Sequence, residues 1–216
     1  MSIAVQITSA FDIETYDGLQ AYITAHLELD AETSAQLPTL IRKAEYRLNR
    51  MVLAPERETS VSVTTVATEQ AVALPVDYRQ MRTARLVADD GLVLEPVTLN
   101  VLHSEYTDNT GKPKVYAISE QSLQFGPVPD AAYTITLTYT AKLPALSTTN
   151  TTNWLLSENA DAYVYAVLWQ TAAWLEDIEA ATAFRAEMFT IIEEINAQGN
   201  RYRNASPMRL RNPVCV

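Results

Sequence analysis

The period of the hydrophobic pattern changes twice along this chain, and that constrains its fold more than any other feature. Apolar residues recur at helical spacing up to about residue 53, alternate every second position from about 58 to 145, and return to helical spacing beyond about 157. A segment patterned for one side-chain period cannot bury its apolar set with the other. The order therefore predicts an α+β fold: a helical bundle from the N- and C-terminal segments, with an inserted antiparallel β-sheet unit and an extended C-terminal tail. Residues 1–57 fall to the N-terminal helices, 58–147 to the β unit, 148–199 to the C-terminal helices and 200–216 to the tail.

In the first segment, Leu19, Tyr22, Ile23, Leu27 and Leu29 predict a helix over Asp17 to Leu29. The stronger stripe is Leu37, Leu40, Ile41, Ala44, Leu48, Met51 and Val52, with Arg42, Lys43, Glu45, Arg47 and Asn49 largely off it. It predicts a helix from Pro38 to Leu53, since proline is tolerated in a first turn and Pro55 marks the stop. In the last segment, "SENADAYVYAVLWQTAAWLED" is apolar around most of a helix, so it is expected to be central and buried, with Ser157 as N-cap. After a break near Asp177, Phe184, Met188, Ile191, Ile192 and Ile195 form one stripe, and Gly199 is the expected terminator. "LSTTNTTN" (Leu146 to Asn153) reads as a polar linker into the bundle.

Between these lie seven short runs rich in β-branched and aromatic residues: "VSVTTVAT", "QAVALP", "MRTARLVA", "LVLEPV", "KVYAI", "SLQF" and "YTITLTYT". Asp90-Gly91 and Ser119-Glu120 are turn signals, and Gly126 to Asp130 is a rigid turn. In the last run, Tyr133, Ile135, Leu137 and Tyr139 face one way, opposite Thr134, Thr136, Thr138 and Thr140.

Charge and residue usage exclude several functions. The net charge is −10, and the +4 of residues 201–216 leaves −14 on the rest, which argues against broad binding of a phosphate backbone. One cysteine, Cys215, excludes a disulfide framework and fits a reducing compartment or one where redox is irrelevant. No secretory signal is expected from the N-terminal residues, nor any membrane-spanning helix, because no stretch approaches 18 uninterrupted apolar residues. Without a secretory signal, the acceptor-like Asn150-Thr151-Thr152 and Asn204-Ala205-Ser206 carry no meaning. His26 and His103 lie in different segments, and neither zinc spacing nor a glycine-rich phosphate loop occurs, so no metal, cofactor or catalytic residue is expected. The acid pairs Asp89-Asp90, Glu176-Asp177 and Glu193-Glu194 read as turn or solvated-face residues, and a hydrolase has nothing beyond them. Tyr163, Trp169 and Trp174 lie on helix-forming segments with no basic residues interleaved, which favours packing over a stacking platform.

Three stretches together resemble the head–tail adaptor (connector) proteins of tailed bacteriophages. They are "LPTLIRKAEYRLNRMV"; "ALPVDYRQMRTARLV" followed by "GKPKVYAISEQSLQFGPVPDAAYTITLTYTAKLPAL"; and "TNWLLSENADAYVYAVLWQTAAWLED". The similarity spans roughly Leu37 to Asp177. The resemblance implies a non-enzymatic virion protein at the capsid–tail junction, forming a homo-oligomeric ring of twelve copies beneath the portal. Such a ring continues the DNA channel, meets a downstream neck or tail protein, and lets packaged DNA pass without sequence-specific binding; assembly would take place in the host cytoplasm. The alternative that the strand runs and the eleven tyrosines leave open is a small β-sandwich binding module, for glycan or receptor, on a helical base.

The tail "RYRNASPMRLRNPVCV" has four arginines, no acid, no regular period and two prolines that resist helix formation. It is expected to be mobile alone, because it cannot bury enough apolar surface to offset its ordering entropy. Arg201, Arg203, Arg209 and Arg211 can pair with carboxylates, and Tyr202, Met208 and Leu210 can fill small pockets, so the tail reads as a docking peptide, with a solubilising tail that makes no contact and a DNA-facing basic strip as the alternatives. The resemblance makes the portal its partner.

Overall fold

The computed structural model describes residues 12–88 and 91–204, the side chains of the last three excepted. The described residues up to Pro55 and from Leu143 onward form one compact unit, and Glu56–Lys142 forms the other.

The first unit is helical. Helix α1 (Tyr16–His26) starts at Thr15, whose hydroxyl accepts from the Gly18 N–H, and buries Tyr16, Leu19 and Ile23. A single turn, α2 (Ala31–Ser34), is capped by Asp30 and has no apolar stripe that would announce it in the sequence. Helix α3 (Leu37–Met51) carries Pro38 in its first turn, as expected, and buries Leu37, Leu40, Ile41, Ala44 and Leu48. The polar stretch before the C-terminal helices is built rather than loose. Asn150 Nδ2 donates to the Ala145 carbonyl at 2.7 Å, the Tyr16 N–H donates to the Thr151 carbonyl at 2.7 Å, and Asn153 Nδ2 donates to the Pro144 carbonyl and to the Tyr163 hydroxyl.

Ser157 is not the N-cap. The helix begins earlier, as α5 (Trp154–Glu158), with Asn153 Oδ1 accepting from the Leu156 N–H. Ser157 lies inside it and its hydroxyl pairs with Thr152. After one break at Asn159 the chain enters α6 (Ala160–Trp174), buried on most sides through Ala162, Tyr163, Val164, Ala166, Val167, Leu168 and Ala172. Glu176 takes a positive φ of 60°, and Asp177 then accepts from the Ala180 N–H to open α7 (Ile178–Asn204). Met188, Ile192 and Ile195 are buried on α7, with Phe184 and Ile191 packed beside them.

Gly199 does not end α7. The helix continues to Asn204, so residues 200–204 are not extended, and only 205–216 of the expected tail lie outside the described residues. Gly199 is buried, and an added Cβ would stand 2.6 Å from the Pro55 ring. Close approach, not termination, is what requires glycine here. One turn earlier, Asn196 ties α7 to the end of α3: its Oδ1 accepts from the Leu53 N–H and its Nδ2 donates to the Met51 carbonyl.

The second unit carries all seven expected strands: β1 (Glu58–Thr64), β2 (Ala71–Ala73), β3 (Tyr78–Leu86), β4 (Glu95–Pro96), β5 (Val115–Ser119), β6 (Ser122–Gly126) and β7 (Thr134–Ala141). They form two sheets, ordered β1-β7-β3 and β2-β6-β5-β4. The first is antiparallel throughout; in the second, β4 runs parallel to β5, so the unit is mixed at that edge. Ile135, Leu137 and Tyr139 of β7 share one core with Leu123 and Phe125 of β6, the inward set that alternation predicted. Glu120, with φ 53°, turns β5 into β6, and Gly91 has the positive φ of the expected hairpin, whose Asp90 lies outside the described residues. Helix α4 (Leu99–Glu105), capped by Thr98, packs Leu102 against Val115 and Ala117; at two turns it is too short for a periodic signal to stand out among strands.

Candidate functional site

The residues with latent chemistry stay apart. His26 stacks on Tyr22 with ring centroids 5.6 Å apart, and His103 Nε2 lies 3.1 Å from Gln124 Oε1. Glu176 and Asp177 form the exposed turn between α6 and α7, and Glu193 and Glu194 are exposed on α7. Asp89, Asp90 and Cys215 lie outside the described residues. Among the described residues, no group of three His, Cys, Asp or Glu side chains is placed to hold a metal ion, and no helix is long and apolar enough to cross a membrane. Of the expected docking residues, Arg201 is exposed on α7, while Tyr202 and Arg203 belong to its last turn. Met208, Arg209, Leu210 and Arg211, and with them the expected mobility of the tail, lie outside the described residues.

The chemistry that the fold does assemble is a face of cations on aromatic rings. Lys43 and Arg47 stand one turn apart on α3, Trp169 and Trp174 at the C-terminal end of α6, and Arg185 and Phe189 one turn apart on α7. The Arg47 guanidinium lies 4.2 Å from the Trp169 ring centroid, and Arg185 lies 5.5 Å from the same ring and 5.3 Å from Phe189. Lys43 Nζ stands 5.7 Å from Trp174. The expectation that no basic residue interleaves with the tryptophans holds along the sequence and fails in space. Helical spacing could mark Lys43 and Arg47 as neighbours, but no local signal joins residue 47, 169 and 185.

Around this face, apolar surface stays open. Trp174 is 52% exposed and Ile178 80% exposed. Beside them an open cleft of about 260 Å³ is lined by Trp169, Ala173, Glu176, Ile178, Ala181, Thr182 and Arg185. Cation–π contacts at exposed sites contribute about 0.5–1 kcal/mol each, so they help to order the face.

The opposite flank of α3 does structural work that the sequence did not reveal. Glu45, expected off the apolar stripe, is only 2% exposed. Its Oε1 accepts from the Leu146 N–H at 2.6 Å and its Oε2 from Arg42 Nη1 at 3.1 Å. One turn on, Asn49 Oδ1 accepts from the Leu143 N–H at 2.8 Å. Glu45 and Asn49 thus bind the irregular backbone that enters the bundle. Burial pushes the Glu45 carboxyl above its ordinary range; the Leu146 N–H and Arg42 pull the other way without offsetting it.

A helical unit with a β unit inserted in its sequence defines the class: an α+β protein, with cations and aromatic rings assembled on the surface of the helical unit. The family model described as SU10 adaptor protein matches residues 14–211, nearly the whole chain and both units. The chain belongs to the SU10 adaptor family and is a head–tail adaptor of a tailed bacteriophage, a structural protein of the virion. No curated protein matches the chain.

Proposed function

We propose that the chain is the repeating subunit of a ring beneath the portal, twelve copies of which continue the DNA channel and join the capsid to the next neck or tail protein. The family match over residues 14–211 carries this reading, and the charge distribution supports it. An acidic wall repels packaged DNA and keeps the channel non-adhesive, which a net charge of −14 on residues 1–200 suits. Each subunit would meet its neighbour through two different faces, the arrangement that closes a cyclic ring. The protein would assemble in the host cytoplasm before its incorporation into the virion.

In this reading Arg201, Tyr202, Arg203, Met208, Arg209, Leu210 and Arg211 dock on the portal. Helix α7 supports it by holding Arg201 exposed, two residues beyond Gly199, where the helix is still packed on Pro55. Arginine pairs bidentately with carboxylates, so an acidic portal surface is the complement. Deleting Tyr202 to Val216 tests the assignment, with portal capture as the readout. The truncated protein is expected to keep the wild-type melting temperature and circular dichroism spectrum and to lose most portal binding at moderate salt. Undiminished capture would contradict the docking role.

A further inference from the structure

The helical unit carries two patches of opposite charge, cations on aromatic rings in one and exposed carboxylates at the start of α1 in the other. Lys43 and Arg47 are displaced by about 200° of helical rotation from Glu45, which lies two positions from each. In the first patch, Lys43, Arg47 and Arg185 engage the rings of Trp174, Trp169 and Phe189, and among the described residues none of the three has a carboxylate within salt-bridge distance. Away from that face, Glu45, buried and paired with the exposed Arg42, holds the Leu146 backbone, and the same segment holds the start of α1 through the Tyr16 N–H to Thr151 carbonyl bond. That start is acidic: Asp12, Glu14 and Asp17 are all exposed, and residues 1–41 contain no lysine or arginine at all.

We propose that the cation and aromatic face of α3, α6 and α7 receives the acidic start of α1 from a second copy of this chain. Resting on the ring reading above, the proposal names the two faces that meet. The complementarity is directional, since each copy offers the acidic patch to one neighbour and the basic patch to the other, as a head-to-tail ring requires. Trp174 and Ile178 supply the apolar part of the contact, and the arginines already seated on Trp169 lose little side-chain freedom on binding. Carboxylates placed against these cations gain in strength as the interface excludes water.

Sedimentation velocity of the full chain, from micromolar to near-millimolar concentration at low salt, tests this. Wild type is expected to associate with increasing concentration and to dissociate as salt is raised. The double reversal Lys43→Glu with Arg47→Glu, and separately Glu14→Lys with Asp17→Lys, should each weaken self-association by at least about tenfold, because like charges then face each other. An equimolar mixture of the two variants should associate again, since reversed meets reversed and native meets native around the ring. Melting within a few degrees of wild type shows that the variants are folded, the four positions being exposed. Wild type that stays monomeric throughout, reversals without effect, or a mixture that stays dissociated would overturn the assignment of these faces. None of those results bears on portal binding, which tests the ring reading separately.

Discussion

Glu45 is a carboxylate held in the interior of the helical unit, 2% exposed and bonded to the Leu146 N–H. On a helical wheel it borders the apolar stripe, and only the returning backbone at Leu146 makes that border an interior. Because burial raises its pKa, the folded protein binds more protons than the unfolded chain between the unfolded carboxylate value, about 4.3, and the raised folded value. Stability contributed by this group is therefore complete below that window and declines as pH rises through it. Glu45→Gln keeps an acceptor for the Leu146 N–H and removes the titration, so its stability should fall less than wild type over the same pH range. Glu45→Ala leaves the Leu146 N–H without its partner and should cost about 1–3 kcal/mol in chemical denaturation. A wild-type stability that rises through the window would contradict the burial argument.

At the scale of elements, α7 separates two roles that glycine can play near the end of a helix. If Gly199 ended the helix in open space, alanine would cost strain in the backbone; if it sat in an uncrowded helix interior, alanine would stabilise by about 1 kcal/mol through propensity. Neither describes it, because Pro55 occupies the place of a Cβ at 2.6 Å and a proline ring yields little. Overpacking typically costs about 1–3 kcal/mol, so Gly199→Ala should lower stability despite the propensity gain. A melting temperature raised by the substitution would show that the contact gives way freely. The same helix shows where periodicity stops informing. The stripe from Phe184 to Ile195 was legible because burial on one side repeats every turn. The partner of Gly199 was not, since Pro55 is distant in sequence and touches a single residue of the turn. Strand identity was legible for the same reason as the stripe, whereas the parallel pairing of β4 with β5 depends on the path of the chain between them. Ser157 and Asn153 are both good caps, and the choice fell to Asn153 through its bonds to Pro144, Leu156 and Tyr163, which no local pattern encodes.

For the whole molecule, the alternation of helical and strand periods made the α+β class readable, and the ordered motifs from Leu37 to Asp177 made the adaptor family readable. What stayed hidden is the surface. Arg47, Trp169 and Arg185 come from three helices, so the face they build exists only after folding. The arginine-rich end was visible as composition, and α7 adds that Arg201 is delivered by a helix rather than by extended chain. If copies of this chain close into a ring on the portal, as proposed, the mass of the full-length protein assembled with its portal will be that of a closed complex with one adaptor copy per portal subunit, twelve in all. A complex holding a single copy or a symmetric pair, or no complex at all, would contradict it.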